Sequence, residues 1–433
     1  MNHSLLRSGA PKPQPRIVTV SRWAVRTCAL SAAVAVLLLS MALAACSTGP
    51  IDDMTFTVAT VFPTAGADAP VGQAMQRAVD LAVRQNAALG KGYKLTVAHV
   101  GEGTGVEQAT TALAADHHVM ALVGPLDSQT AIALLPIIEQ NGIATISPSA
   151  TLAGLTRADR AAAQGLTFAT LHPAGKPVAF FRLPASDEAL ALAAADLARA
   201  PGDQHGLAAG SAFVVDDGTA SGKAGADAFR QEFAAKHGAI SGRATMATVP
   251  SDNTQDVVTA IIKATPDVVF FAGGTAVAAR LRATITLTGA PQIPVLATGP
   301  LADHPAWGAA VGVTAAAAYT FAVLPAPDFS TLPNAKSFVA AYQAAYPGKD
   351  YVPQAALAYD AAMDEITAIK ALVQAGKPVT RAAVLAAVAA AKYAGVTGTL
   401  AFDNNGDNVS PPGFAVYSCD IKGAWHYETH LGG

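Results

Sequence analysis

Cysteine is nearly absent from this 433-residue chain: Cys28, Cys46 and Cys419 are the whole supply. That scarcity excludes a disulfide-stapled scaffold and cysteine-rich metal sites. Charge is sparse as well, with 14% Asp, Glu, Lys and Arg. Five of the basic residues, Arg7, Lys12, Arg16, Arg22 and Arg26, precede residue 46, and beyond them 23 basic residues face 31 acidic ones. A chain of that balance has no broad electrostatic case for binding nucleic acid. Catalytic signatures are missing too: there is no G-x-S-x-G elbow, and spacing singles out no nucleophile–base pair. What is plentiful is apolar, 52% of residues, which argues for a globular protein and against disorder. The length exceeds the size at which one hydrophobic core stops growing, so two domains are expected.

The basic start leads into ALSAAVAVLLLSMALAAC, an uncharged run. It reads as the core of a secretory signal, although its length also approaches the ~20 residues of a plain transmembrane anchor. Leu43-Ala44-Ala45-Cys46 resembles a bacterial lipobox and decides for the lipoprotein. Residues 1–45 are then a signal peptide, Cys46 is acylated with chains such as palmitate, and 46–53 is a tether. Stable anchoring takes more than one acyl chain, which the resemblance supplies. Cys28 leaves with the signal, Cys419 is left alone, and no intrachain disulfide can form. The protein is expected to sit on the outer face of the cell membrane.

From residue 54 apolar runs alternate with amphipathic segments. FTVATVF (56–62) reads as a buried strand, and the next segment, Val71 to Leu89, puts Met75, Ala78, Val79 and Ala82 on one helical face, with Gly90 ending it. Strand YKLTVAHV, a helix near 106–116, strand VMALVG, a helix over 128–141 and strand IATIS follow. Between about 155 and 178 the periodicity fails. A second series then runs through strand SAFVVD, helix 221–237, strand ATMATV, helix 253–264, strand DVVFFA, helix 275–288 and strand PVLAT. Helices over 334–346, 353–375 and 380–391 come last, before a hairpin in TGTLAFDNNGDNVSPPGFAVYS. Repeated βα units imply parallel sheets with right-handed connections.

Several motifs dissolve on inspection. GTASGK (218–223) is one residue short of a phosphate loop, and Ala224 stands where a magnesium-binding hydroxyl belongs. GEGTG (101–105) follows the second strand and lacks the dinucleotide spacing. DNNGDN (403–408) has its glycine at the wrong place for a calcium loop, and Phe414 falls at the glutamate position. His426 and His430 flank Glu428 on an extended segment with no third ligand, and His117 and His118 read as loop residues. No cofactor or metal is implied.

The stretch ISPSATLAGLT (146–156) packs Ser147, Ser149, Thr151 and Thr156 between a strand and the next segment. Such hydroxyls either cap a turn or aim donors at an anion. The order of segments decides between these: FTVATVFPTAG, VMALVGPLDSQTAIALLPIIEQNGIATISPSAT, FFRLPASD, PDVVFFAGG, YVPQAALAYDAA and GVTGTLAFDNNGD together resemble the type I periplasmic binding proteins. The branched-chain amino acid (Leu/Ile/Val) receptors of ABC transporters are the group most resembled, and the resemblance covers nearly everything after Cys46. It implies an α/β fold of two Rossmann-like lobes with parallel sheets, joined by three hinge crossovers, with ligand bound between them. Lobe I is expected over 54–178 plus 325–392, and lobe II over 182–322 plus 396–433.

The resemblance also implies that Ser128 and the backbone and hydroxyls of Ser149, Ala150 and Thr151 grip a ligand carboxylate. The family's aromatic clamp is replaced here: Val71, Ser221, Gly274 and Gln354 occupy those positions, with Thr275 beside them and Gly299 near the usual glutamate. An ammonium buried without an acceptor is costly, so Asp68, Asp217 and Asp303 are candidate substitutes. The expected function is that of a monomeric, lipid-anchored solute-binding protein, not an enzyme. It would deliver a small polar, carboxylate-bearing ligand, other than an ordinary branched-chain amino acid, to an ABC permease. A sensory receptor of the same fold and a ligand-independent structural lipoprotein are the alternatives.

Overall fold

The computed structural model describes residues 54–202, 206–246, 253–299, 301, 307–312, 314–328, 331–332 and 334–432. The expected signal peptide and tether, Cys46 and Asp303 lie outside these residues. The first strand, β1 (Thr55–Pro63), is rich in β-branched residues and buried along most of its length, as a central parallel strand must be. Helix α1 (Ala69–Gln85) follows, started by a proline in its first turn and burying Met75, Ala78, Val79 and Ala82. It ends sooner than expected. Residues Ala88–Gly90 form a short strand, β2, paired antiparallel with β3 (Tyr93–Glu102). Gly90 and Gly92, both at positive φ, make the tight turn between them instead of a helix cap.

Helix α2 (Val106–Ala115), β4 (Val119–Val123), α3 (Ser128–Asn141) and β5 (Ala144–Ser147) come next. Asp127 accepts the Thr130 N–H at 2.7 Å to cap α3, and Gly142, left-handed, ends it. The aperiodic stretch contains helical turns at Ala153–Leu155, Ala158–Ala163 and Phe168–Leu171. Strand β6 (Phe180–Arg182) then closes the first sheet, whose order is β2-β3-β1-β4-β5-β6.

The second series opens with an element the sequence pattern did not single out, α4 (Asp187–Arg199). Its alanine-rich composition blurs the helical period, but Ser186 accepting the Ala189 N–H and two acids in the first turn form a proper start. Then come β7 (Ser211–Asp216), α5 (Ala220–Ala235), β8 (Ala239–Thr245), α6 (Thr254–Ala264), β9 (Val268–Ala272), α7 (Thr275–Leu287), β10 (Val295–Thr298) and β11 (Thr320–Leu324). Strand β8 lies five residues before the expected ATMATV because its register starts at Ser211↔Ala239. As an edge strand it is only half buried, which weakens its apolar signature.

Helices α8 (Ala335–Ala345), α9 (Pro353–Ala375) and α10 (Arg381–Ala389) pack back on the first sheet, α9 against α1, β4 and β5. A two-strand ladder, β12 (Tyr393–Ala394) with β13 (Thr399–Leu400), precedes β14 (Phe414–Cys419) and β15 (Trp425–Leu431). The second sheet has the order β15-β14-β11-β10-β9-β7-β8, parallel except for β14 and β15. The terminal hairpin is therefore β14–β15, turning at Asp420–Gly423, and not the expected 397–418. Residues 403–408 form a turn held against β6 by the bridge Arg182↔Asp407. The chain passes between the two sheets after β6, after β11 and before β14, which is the two-lobed type I arrangement. Among the described residues no helix is long and apolar enough to cross a membrane.

Candidate ligand-binding cleft

The carboxyl ends of the strands of both sheets face one cavity of about 370 Å³, large enough for an amino-acid-sized ligand. The first turns of α1, α3, α4, α5, α7 and α9 all contribute to its wall: Asp68 and Val71, Asp127 to Gln129, Asp187 and Leu190, Thr219, Ser221 and Gly222, Gly274 and Thr275, and Gln354. Strand ends add Ala272, Thr298, Gly299 and Pro325. Convergent helix N-termini bring orphan N–H groups and positive dipole ends to one place. The described lining residues include four aspartates, Asp68, Asp127, Asp187 and Asp217, and no Lys, Arg, His or aromatic residue.

Of the residues singled out in sequence, Val71, Ser128, Ser149, Thr151, Asp217, Ser221, Gly274, Thr275, Gly299 and Gln354 all line this cavity, as does Asp68. Ala150 does not: it is fully buried behind the wall, and its N–H donates to Ser147 Oγ at 2.9 Å. The hydroxyls of the ISPSAT loop divide into two sets. Ser147 donates to the Pro125 carbonyl and Ser149 to the Leu126 carbonyl, both at 2.8 Å, so these two brace the loop. Ser128 Oγ accepts the N–H groups of Thr151 and Leu152 at 3.2 and 3.1 Å, which leaves its own proton to donate into the cavity. Thr151, half-buried, lines the cavity as well.

Arg182, buried at the end of β6, explains how the loop is held. Its Nη1 donates to the carbonyls of Thr151 and Leu152 at 2.9 and 3.0 Å, and its Nε to Asp407 Oδ1 at 2.7 Å. Asp407 Oδ1 also accepts the Thr156 hydroxyl at 2.6 Å. DNNGDN is thus a brace for the ISPSAT loop, a role its sequence does not advertise.

The aspartates differ in how much of their charge is spent. Asp217 accepts the Thr219 N–H and hydroxyl at 3.0 and 2.6 Å and the Gly274 N–H at 2.9 Å, tying the α5 and α7 starts together. Gly222 and Gly273 leave room for it, since a Cβ on either would overlap its carboxyl group. Asp187 is different, and sequence reasoning missed it. Burial pushes its carboxyl up to about 7, against the opposing influence of the Ser221 hydroxyl, which donates at 2.8 Å, and of Arg182. Its position, one residue after the N-cap of an unrecognised helix, was the only available signal. Behind the rim, burial and the neighbouring Asp127 push Glu102 to about 10, so Glu102 holds its proton at neutral pH.

Other features lie elsewhere. Lys223 of GTASGK is exposed and off the cavity wall. Cys419 is buried, its thiol pushed up to about 12 by burial and therefore unreactive. Among the described residues the one cluster with metal-ligand proximity is Asp116, His117 and His118, in the turn before β4, where Asp116 already bonds His118 Nδ1 at 3.0 Å.

Residues 55–423 match the model of a family described as periplasmic binding protein. Among curated proteins none matches the chain. Solved structures share the fold. The leucine binding protein LivK of Thermotoga maritima superposes with a TM-score of 0.70 at 20% identity, covering 87% of this chain and 99% of that one. The branched-chain amino acid transporter substrate binding protein LivJ of Streptococcus pneumoniae, in complex with isoleucine, gives 0.68 at 21% identity, over 87% and 98%. An ABC transporter solute binding protein of R. palustris, in complex with benzoate, gives 0.66 at 23% identity, over 87% and 96%.

Proposed function

This chain belongs to the periplasmic binding protein family, and from that premise we propose that it is a lipid-anchored receptor on the outer face of the cell membrane. It acts there as a monomer of two lobes, 54–178 with 325–392 and 182–322 with 396–433. As a solute-binding protein of the ABC-transporter kind it works by capture and release, not by chemistry on its ligand. The ligand of this reading is a small zwitterion whose carboxylate sits against lobe I.

The cavity wall carries the argument. Ser128 and Thr151 offer hydroxyl donors at the N-terminal end of α3, where the helix dipole favours a carboxylate although Asp127 already caps the Thr130 N–H. Isoleucine and benzoate, the ligands of two structural relatives, are both carboxylates, which supports the assignment. Four aspartates and no described cation on the wall work against a simple anion. A cationic nitrogen on the same ligand resolves the conflict, with Asp187 as the acceptor that Gly274 and Gly299 do not provide. Without an aromatic clamp, a branched aliphatic side chain gains little, so leucine is expected to bind poorly.

Thermal-shift and calorimetric titration of the purified protein with zwitterions, simple carboxylates and cations tests this. Hydrogen bonds to a charged acceptor contribute about 1.5–3 kcal/mol each, so Thr151→Ala is expected to weaken the best zwitterion by about tenfold or more. Melting temperatures unmoved by every carboxylate-bearing compound, or tight leucine binding, would contradict the reading.

A further inference from the structure

Two polar groups on the cavity wall have no use in anything described so far. Thr275, 1% exposed, and Gln354, 3% exposed, each leave a side-chain oxygen, Oγ1 and Oε1, out of reach of water and without a hydrogen-bond partner among the described residues. Buried polar atoms are nearly always satisfied, and one left alone is costly. Both residues line the cleft. The helix start at Thr275 is also bare: Asp127, Ser186 and Thr219 cap α3, α4 and α5, whereas Gly274 at the N-cap of α7 has no side chain to do so. The Gly274 N–H is already taken by Asp217.

We infer that the cleft recognises a neutral amide-type group on the ligand, with Thr275 at the start of α7 and Gln354 at the start of α9 as its partners. The inference deepens the carboxylate-binding proposal and rests on it for the ligand's other end. Charge excludes the alternatives. A second anion would meet Asp217, whose Oδ2 lies on the Gly274 N–H, and Asp187, which is bonded to Ser221 on the next helix start. A second cation would face the positive end of α7. A neutral group carrying both a carbonyl oxygen and N–H donors avoids both penalties. Its oxygen accepts from the Thr275 hydroxyl at the α7 start, and its N–H donates to the Gln354 amide oxygen. Whichever way the Gln354 amide is turned, an amide partner offers the complement.

The test uses isosteric pairs that differ only in amide against carboxylate: glutamine with glutamate, asparagine with aspartate, and succinamate with succinate. Calorimetry on the full chain should show the amide member of a pair binding at least about tenfold more tightly. Thr275→Val and Gln354→Met should each reduce that preference by about tenfold. In the ligand-free protein both variants should keep or raise the denaturation midpoint, because each removes a buried polar atom that has no partner. Acids binding as tightly as their amides, with Thr151→Ala still weakening them, would overturn the inference and leave the carboxylate proposal standing. A failure of every pair to bind would also overturn the inference, while the carboxylate proposal would stand or fall with the wider titration of carboxylate-bearing compounds. Lower ligand-free stability in the two variants would show that these groups have partners in the free protein, and would equally overturn the inference.

Discussion

Asp187 carries opposite pH consequences for stability and for binding. Its carboxyl titrates at about 7 in the folded chain against 3.8 in the unfolded one, because burial disfavours the charge more than Ser221, the Glu188 N–H and Arg182 restore it. A raised folded value means that the folded state holds the proton more tightly. The associated stabilisation is full below about pH 4 and is lost as pH rises through 7. Binding of a cationic nitrogen runs the other way, since it needs the carboxylate. Between pH 6 and pH 8 the ionised fraction rises roughly tenfold, and zwitterion affinity measured by calorimetry is expected to rise with it. Asp187→Asn should flatten both profiles and hold affinity near the low-pH value. A variant that keeps the wild-type pH dependence would remove Asp187 from the ligand's surroundings.

Helix α9 shows what an element can carry in its core. It is buried around most of its circumference, yet Asp360, Asp364 and Glu365 lie among its inward residues. Asp360 has work to do: it accepts the N–H groups of Val396 and Thr397 at 2.8 and 2.7 Å and the Thr397 hydroxyl at 2.6 Å, which fastens the β12–β13 turn. Gly395 leaves the room for it. Burial pushes Asp360 to about 6, burial and Asp360 push Asp364 to about 7, and burial and Asp364 push Glu365 well above its ordinary value. All three shifts have the same sign, so stabilisation present below about pH 4 drains away as pH rises through 6 and 7. Chemical denaturation is expected to show a protein weaker at pH 8 than at pH 5. Asp364→Asn should recover roughly 1–3 kcal/mol of that difference. Equal stability of wild type and variant at pH 8 would refute the account.

At the scale of the whole molecule, the place where the chain passes between sheets is fastened by Arg182 and Asp407, 225 residues apart. Arg182 is 3% exposed and holds two carbonyls of the binding loop as well. Arg182→Leu removes the nearest cation from Asp407 and the donor from both carbonyls, leaving Asp407 the Thr156 hydroxyl and a 3.8 Å contact with Arg157, so the loss is expected at or below the lower end of the about 3–5 kcal/mol that breaking a fully buried pair costs. Denaturation should register that loss, and Arg182→Leu with Asp407→Leu should recover part of it, because no unpaired charge remains. Full additivity of the two single changes would mean that the pair is not coupled. The proposed membrane attachment belongs to this scale too. Cys46→Ser is expected to move the protein from the membrane to the soluble fraction or stall its processing, and unchanged fractionation and migration would exclude the lipid anchor.

The alternation of strand and helix was written in the sequence because buried parallel strands are continuous apolar runs and helices repeat every 3.6 residues. Both signals are local, and the boundaries of α3, α6 and α9 lie at or within a residue of those expected. Where burial is one-sided or composition uniform the local signal fails, as at the edge strand β8 and in alanine-rich α4. At 403–408 the turn-rich sequence does make a tight hairpin turn, closed by the antiparallel bridge Phe402↔Asn408, but nothing local announces that this turn braces a loop from another part of the fold. The loops of the candidate cleft were legible through the family resemblance: GPLDSQT and ISPSAT supply residues of the cavity wall, whereas their chemistry alone fitted a capped turn equally well. Which donors remain available there was decided only by folding, since the Ser149 hydroxyl and the N–H groups of Ala150 and Thr151 are spent within the loop's own bracing, whereas the hydroxyls of Ser128 and Thr151 are not. The same holds for the charge of Asp187, the idle oxygens of Thr275 and Gln354, and the Arg182–Asp407 clasp. Periodicity depends on neighbours a few residues away along the chain, whereas desolvation and hydrogen-bond partnership depend on whatever the fold brings alongside.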